Sequence, residues 1–231
     1  FDRVHVQLPQ TLARACAATG VRRVLHLSAL GASAGAPSMY QCSKARGEEV
    51  LRAADLDLTI LRPSVIFGPE DRFLNLFARL QRTFPVIPLA GGATRFQPVW
   101  VEDVASAALT CLQERSRIGQ TYEACGPQVL ALRDLVRLAG RLGGRERPVL
   151  ALPMALGRLQ ALLMEWGPGE PLISRDNLDS MKTDNIATGL LPGLQALGIS
   201  PSSVSAIAPS YLNTIGLEDE LLTMRRTAGR F

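Results

Sequence analysis

No two cysteines in this sequence are spaced to grip a metal ion. Cys16, Cys42, Cys111 and Cys125 form no CxxC, and the two histidines, His5 and His26, both come early. A metal centre is therefore not expected, and free thiols in a reducing compartment are. Long apolar runs are missing too: no stretch of about 18 residues is free of charge or helix breakers, and no signal peptide opens the chain. Lysine is scarce, at Lys44 and Lys182 alone, so arginine supplies almost all the positive charge. The formal balance of +4 is modest and the basic residues are scattered. Without a basic stripe interleaved with aromatics, nucleic acid is not an expected partner. No G-x-G-x-x-G or G-x-x-G-x-x-G follows a strand. The nearest glycine groups, Gly91-Gly92 and Gly140 to Gly144, lack that setting.

What is present is a chain of 231 residues, 47% hydrophobic, enough for one packed domain or one domain with a small appendage. Its organising stretch runs from Val24 to Gly68. The apolar run Val24-Leu25-His26-Leu27 reads as a buried strand ending at Ser28. A loop of small residues follows, broken by Gly31, Gly35 and Pro37. Tyr40-Gln41-Cys42-Ser43-Lys44 then opens a helix reaching about Ala54. A second apolar strand, Leu58 to Leu61, ends at Arg62-Pro63-Ser64. Strand, helix and parallel strand make a βαβ unit, whose ligands bind beyond the carboxyl ends of the strands. Tyr40 and Lys44 are one helical turn apart on the same face. An ammonium beside a phenol stabilises phenolate, lowering a pKa that is about 10 when unperturbed, and so permits proton exchange near neutral pH. The lysine also has donors for sugar hydroxyls. The plainer alternative is an ordinary helix with a solvated lysine.

Tyr40-x-x-x-Lys44 followed by Leu61-Arg62-Pro63-Ser64-Val65-Ile66-Phe67-Gly68-Pro69 resembles the signature of the extended or atypical short-chain dehydrogenase/reductases. Ser28 to Ala32, Thr94 to Val99 and Lys182-Thr183-Asp184-Asn185 narrow the resemblance. Together they are similar to one subgroup, the dehydrogenase-like accessory subunits of respiratory complex I (the ninth subunit of the alpha subcomplex) and their bacterial relatives. The resemblance implies an NADPH or NAD(H) cofactor contacted by Ser28, Tyr40, Lys44, Pro63, Ser64 and Val65. It also implies an acid/base pair in Tyr40 and Lys44. Active members carry a further hydroxyl at or near the position of Leu30, where neither Leu30 nor Ala29 has a side-chain donor. Ser28 is the candidate substitute, although a serine ending a strand also bonds local backbone. Members open with a strand and a glycine-rich turn that holds the cofactor pyrophosphate. That half of the sheet is expected to precede Phe1, so weak dinucleotide binding by these residues alone is expected.

The remaining pattern supplies the scaffold. Residues 1–19 read as a helix with Val4, Leu8, Leu12, Ala15 and Cys16 along one side, kinked or started by Pro9. Helical spacing recurs from Glu70 to Gln81, where Asn75 is a remote candidate for a ligand contact. Thr94 to Val101 reads as one strand entering a helix near Glu102-Asp103, with Asp103 as a cap. Gly119 to Gly126 reads as another strand. Leu132 to about Leu142 and Met154 to about Trp166 read as helices, the second apolar on most of its surface and expected to bury against the sheet or a partner. Ser174 is a plausible cap. Ser200-Pro201 should start a last helix running to Leu212, and the charged tail from Gly216 should be loosely held.

The expected fold is α/β: the C-terminal half of a Rossmann-type parallel sheet in residues 1–125, with a small, mostly helical interaction region in residues 126–231. The resemblance implies a non-catalytic, NAD(P)-binding accessory or assembly subunit whose partners are subunits or assembly factors of respiratory complex I. It would lie in the cytoplasm with peripheral association at the bacterial inner membrane, or on the mitochondrial matrix side. The rival expectation is a working NAD(P)-dependent oxidoreductase or sugar-nucleotide epimerase/dehydratase using Tyr40 and Lys44.

Overall fold

Three parallel strands carry the first half of the chain. The computed structural model describes residues 1–212 apart from 168 and 170, so the charged tail from Gly216 lies outside the described residues. In chain order, a π-helical turn at Arg3–Gln7 leads into α1 (Leu8–Thr19), then β1 (Arg23–Leu27), α2 (Met39–Arg52) and β2 (Asp57–Pro63). The short β3 (Ile66–Phe67), α3 (Leu74–Thr83), β4 (Ile87–Ala90), β5 (Arg95–Phe96) and β6 (Val99–Trp100) follow. Next come α4 (Val101–Gln113), β7 (Thr121–Ala124), β8 (Leu130–Ala131), α5 (Leu132–Leu142), β9 (Val149–Leu152), α6 (Met154–Glu165), α7 (Arg175–Ser180) and α8 (Val204–Ile207). The main sheet runs β1-β2-β7, with Leu25 beside Thr59 and Ile60 beside Thr121. Three two-stranded ribbons, β3-β6, β4-β9 and β5-β8, extend away from it.

β2 is the centre of this arrangement, flanked by parallel partners on both sides. Its Leu58-Thr59-Ile60-Leu61 run is buried throughout, as a strand covered on both faces requires. Ile60 packs with Leu51 of α2 on one face, and Leu61 packs with Val104 and Ala107 of α4 on the other. Each such side chain, fully buried, contributes about 1.5–3 kcal/mol.

Several expected boundaries move for identifiable reasons. Pro9 does sit in the first turn of α1, where its missing N–H costs nothing. The expected inward stripe of that helix does not hold: Val4, Leu8 and Leu12 are exposed, while Pro9 and Cys16 are buried. The helix from Glu70 begins only at Leu74, because the Asp71 carboxylate ties a turn together by accepting from the Gly68, Phe73 and Asn75 amides. Asn75 is structural, its amide donating to the Gly68 and Pro69 carbonyls. The strand expected over Thr94 to Val101 is two short strands separated at Gln97-Pro98, Pro98 having no N–H for a ladder. Asp103 is no cap: its carboxylate accepts from the Ser202 amide at 2.7 Å. The last helix starts at Val204, capped by Ser203, three residues later than Ser200-Pro201 suggests.

α6 meets its expectation on one side only. Its Gly157 and Ala161 let it lie close on Ala90 of β4, but the opposite face leaves Leu156, Leu159 and Leu163 more than half exposed. The narrow β4-β9 ribbon offers no more floor to cover it.

Candidate functional site

Ser38 starts the helix that matters most. Its side chain accepts from the Gln41 amide at 3.2 Å, a cap that fixes where α2 begins. One turn on, Tyr40 and Lys44 fall on a shared face, as their spacing predicts. The Lys44 ammonium donates to the Leu27 carbonyl at the carboxyl end of β1, at 3.1 Å. It lies over the Tyr40 ring, 5.9 Å from the centroid.

In this arrangement burial governs the phenol. Burial pushes the Tyr40 phenol above its ordinary value, the opposite of the lowering expected from a neighbouring ammonium. The cation sits over the ring face, so burial decides the direction. Burial likewise lowers Lys44, against the raising effect of Glu48.

Two aromatic residues that the sequence did not single out complete the wall around the phenol. His5 meets the Tyr40 ring edge to face at 5.4 Å, and Phe1 does so at 5.8 Å. The Ser43 hydroxyl gives its only proton to the Tyr40 carbonyl at 2.7 Å, so His5 Nδ1 is the donor in the 2.8 Å contact to Ser43. Burial and then the Lys44 charge lower the His5 pKa.

Beneath this face lies a buried charge pair. Glu48, one turn beyond Lys44, is 3% exposed and takes two hydrogen bonds from Arg62 of β2. Burial, the largest single effect, would raise the Glu48 carboxyl, but hydrogen bonds from Arg62 and Ser28 and the charges of Arg62 and Arg52 together outweigh it and hold the carboxyl below its usual range. His26 of β1 is driven down to about 4 by burial and then by the Lys44 charge. Its Nε2 has no hydrogen-bond partner among the described residues.

The strand ends gather the remaining expected residues. Ser28 donates its amide to the Leu61 carbonyl and Leu30 to the Pro63 carbonyl, so the loop after β1 runs beside the end of β2. The Ser28 hydroxyl is buried and faces the Glu48 carboxylate, which it helps to hold low. Leu30 is buried and apolar. Ser64 donates its amide to Ala124 of β7. Its hydroxyl turns away from the Tyr40 helix to Asn185, at 2.5 Å from Oδ1. Val65 accepts from the Val99 amide through its carbonyl. Tyr40, Lys44 and Ser28 thus share the end of β1, while Pro63, Ser64 and Val65 mark the end of β2.

Glu48 was legible in principle, since it continues the Tyr40, Lys44 series by a further four residues. Asp176 was not, because it reaches the site from 136 residues away, and Asn185 stood out only within the Lys182 to Asn185 motif, its contact with Ser64, 121 residues away, unforeseen.

The NAD dependent epimerase/dehydratase family model matches residues 1–125, more than half of the chain. The chain belongs to that family. It is 34% identical over 204 residues to the mouse NADH dehydrogenase [ubiquinone] 1 alpha subcomplex subunit 9, mitochondrial, covering 87% of this chain and 54% of that protein. The Arabidopsis thaliana protein of the same name is 29% identical over 203 residues, covering 84% and 50%. The chain therefore spans about half the length of the curated relatives it matches. Among solved structures, the Escherichia coli NADPH-dependent quinone oxidoreductase QOR2 complexed with NADPH superposes with a TM-score of 0.69 at 17% identity. That match covers 88% of this chain and 70% of the other, and it shows the Rossmann-like fold alone.

Proposed function

We propose that this member of the epimerase/dehydratase family holds the nicotinamide–ribose end of an NADPH or NAD(H) molecule and serves as an accessory or assembly subunit related to NADH:ubiquinone oxidoreductase. The observation that carries the cofactor reading is the Lys44 ammonium at the carboxyl end of β1, lying over the Tyr40 ring with donors left for a ligand. A ribose presents oxygens to such a donor. The Lys44 ammonium spends one donor on Leu27 and has two more for sugar oxygens. The backbone around Pro63, Ser64 and Val65 would border the nicotinamide side. A bound nicotinamide would supply hydride transfer. These residues would orient it, with Lys44 gripping the ribose and Tyr40 closing the wall with His5.

The same geometry favours holding over turnover. A general acid/base works best with a pKa near the working pH, yet burial moves the Tyr40 phenol away from neutrality. At Leu30, at or near the position where the family resemblance implies a hydroxyl, the only donor is a backbone N–H already committed to Pro63. The second reading, an oxidoreductase or sugar-nucleotide epimerase/dehydratase, rests on the intact Tyr40-x-x-x-Lys44 pair.

The partners in this reading are complex I subunits or assembly factors, as the names of the relatives suggest. The setting is the mitochondrial matrix side or the cytoplasmic face of a bacterial inner membrane. No helix among the described residues is long and apolar enough to cross a membrane. Residues 1–125 would carry the cofactor and residues 126–231 the contacts with partners.

Calorimetric titration with NADPH and with NADH, on the chain and on a form extended upstream, tests the reading. The expected result is dinucleotide binding by the extended form, much weaker binding by the chain alone, and no oxidation of NADPH with ketone or sugar-nucleotide substrates. Robust turnover would promote the enzyme reading, and no binding by either form would end the cofactor reading.

A further inference from the structure

We infer that Asp176, on the short helix α7, is a positioning residue for Tyr40, coupling the C-terminal helical segment to the helix that presents the phenol. The first turn of any α-helix has four amide groups without partners inside the helix. In α2 the Cys42 amide makes the first helical bond, to the Ser38 carbonyl, and the Gln41 amide before it goes to the Ser38 hydroxyl. The amides of Met39 and of Tyr40 itself go to the two oxygens of the Asp176 carboxylate at 2.6 and 3.1 Å. The local cap is therefore incomplete, and a carboxylate from far along the chain finishes it. A negative charge at this end also suits the helix dipole.

α7 is built to hold that carboxylate in place. Ser174 and Asn177 form a reciprocal capping box at its start. Leu178 is fully buried against Ala90 and Ala161. Asp179 pairs with Arg158 of α6 and with Lys182. The following segment crosses the first half of the chain at Arg95–Asp184, Ser64–Asn185 and Glu123–Thr188. Of these links, only Asp176 acts on α2. Further along, the helix is held by Ser43 on His5, Lys44 on Leu27 and Glu48 on Arg62. Asp176 is the hold on the amino end, at the residue that carries the phenol.

The inference deepens the cofactor reading, but its test needs no cofactor. Amide hydrogen exchange is measured by NMR on the full chain and on the D176A and D176N variants, with selectively labelled tyrosine. In D176A, exchange at Met39 and Tyr40 should rise at least tenfold while Ile60 and Leu61 of β2 keep their protection. The Tyr40 ring resonance should shift, and those of Tyr122 and Tyr211 should stay. D176N, which retains one carbonyl oxygen, should recover part of the protection. Unchanged exchange at Met39 and Tyr40, loss spread equally over β2, or an unmoved Tyr40 ring would overturn the inference. Failure of NADPH to bind the extended wild-type form would count against the cofactor reading alone.

Discussion

Glu48 and Arg62 meet as a bidentate pair, 2.8 Å from Nε to Oε1 and 2.7 Å from Nη2 to Oε2. The pair bolts the Tyr40–Lys44 face of α2 to the end of β2, immediately before Pro63. Its geometry is the fork-to-fork arrangement that makes arginine and carboxylate the strongest of such pairs.

Breaking that pair from one side leaves a buried charge poorly compensated, with only the more distant Arg52 at 3.5 Å beside Glu48. E48Q and R62A should each cost about 3–5 kcal/mol, read as a lower urea midpoint. A double E48L/R62M replacement, apolar on both sides, should cost less than either single change. A loss under about 1 kcal/mol in both single variants would show that the pair is not buried as the structure has it.

Acid should destabilise the protein in two overlapping windows. The His26 pKa falls from 6.5 free to about 4 folded, so the unfolded chain binds the proton first and stability declines from about pH 6.5 toward pH 4. A shift of this size is worth at most about 3 kcal/mol, and less where the ring keeps some solvent contact. Glu48 is depressed in the folded state, so its contribution is complete above the unfolded carboxylate value and is lost as pH falls through its lower folded one. Urea melts across pH 4 to 8 should show the upper limb flattened in H26L. An unchanged limb would mean that His26 is not the group responsible.

The Ser64 hydroxyl is committed to Asn185. S64A and N185A should each lose about 1–2 kcal/mol, and the double variant should lose clearly less than their sum. Strict additivity would show that the two side chains do not interact in solution.

Gly47 has no room for a side chain. A Cβ there would overlap the His5 carbonyl and approach Pro9, where α2 packs on the first turns of the chain. G47A should cost roughly 1–3 kcal/mol, as overpacking does, and should shift the Tyr40 ring resonance by displacing His5. A fully stable G47A protein with an unmoved Tyr40 signal would contradict this packing.

The βαβ unit, the Tyr40–Lys44 face and the turn residues were legible because each depends on neighbours in sequence. Alternating or continuous apolar runs specify strands, and four-residue spacing specifies a helix face. The Ser174 cap was legible for the same reason. The Asp71 turn shifted the expected start of α3, since side-chain hydrogen bonds compete locally with helix, and Pro98, with no N–H to give a ladder, split β5 from β6.

The sequence by itself determined that a parallel α/β unit would present Tyr40 and Lys44 on one helix face, because that placement follows from helical pitch alone. Only the tertiary structure decided what those groups do there. Whether an ammonium lies over the ring or beside the hydroxyl, and whether burial or charge governs the phenol, depends on how α2 seats against β1 and on His5 and Phe1. Likewise, the partners of the site come from Arg62, Asp176 and Asn185, the last two more than a hundred residues downstream of what they hold. Hydrogen bonds and burial act over a few ångströms in space, and separation along the chain carries no record of which distant residues will close that gap.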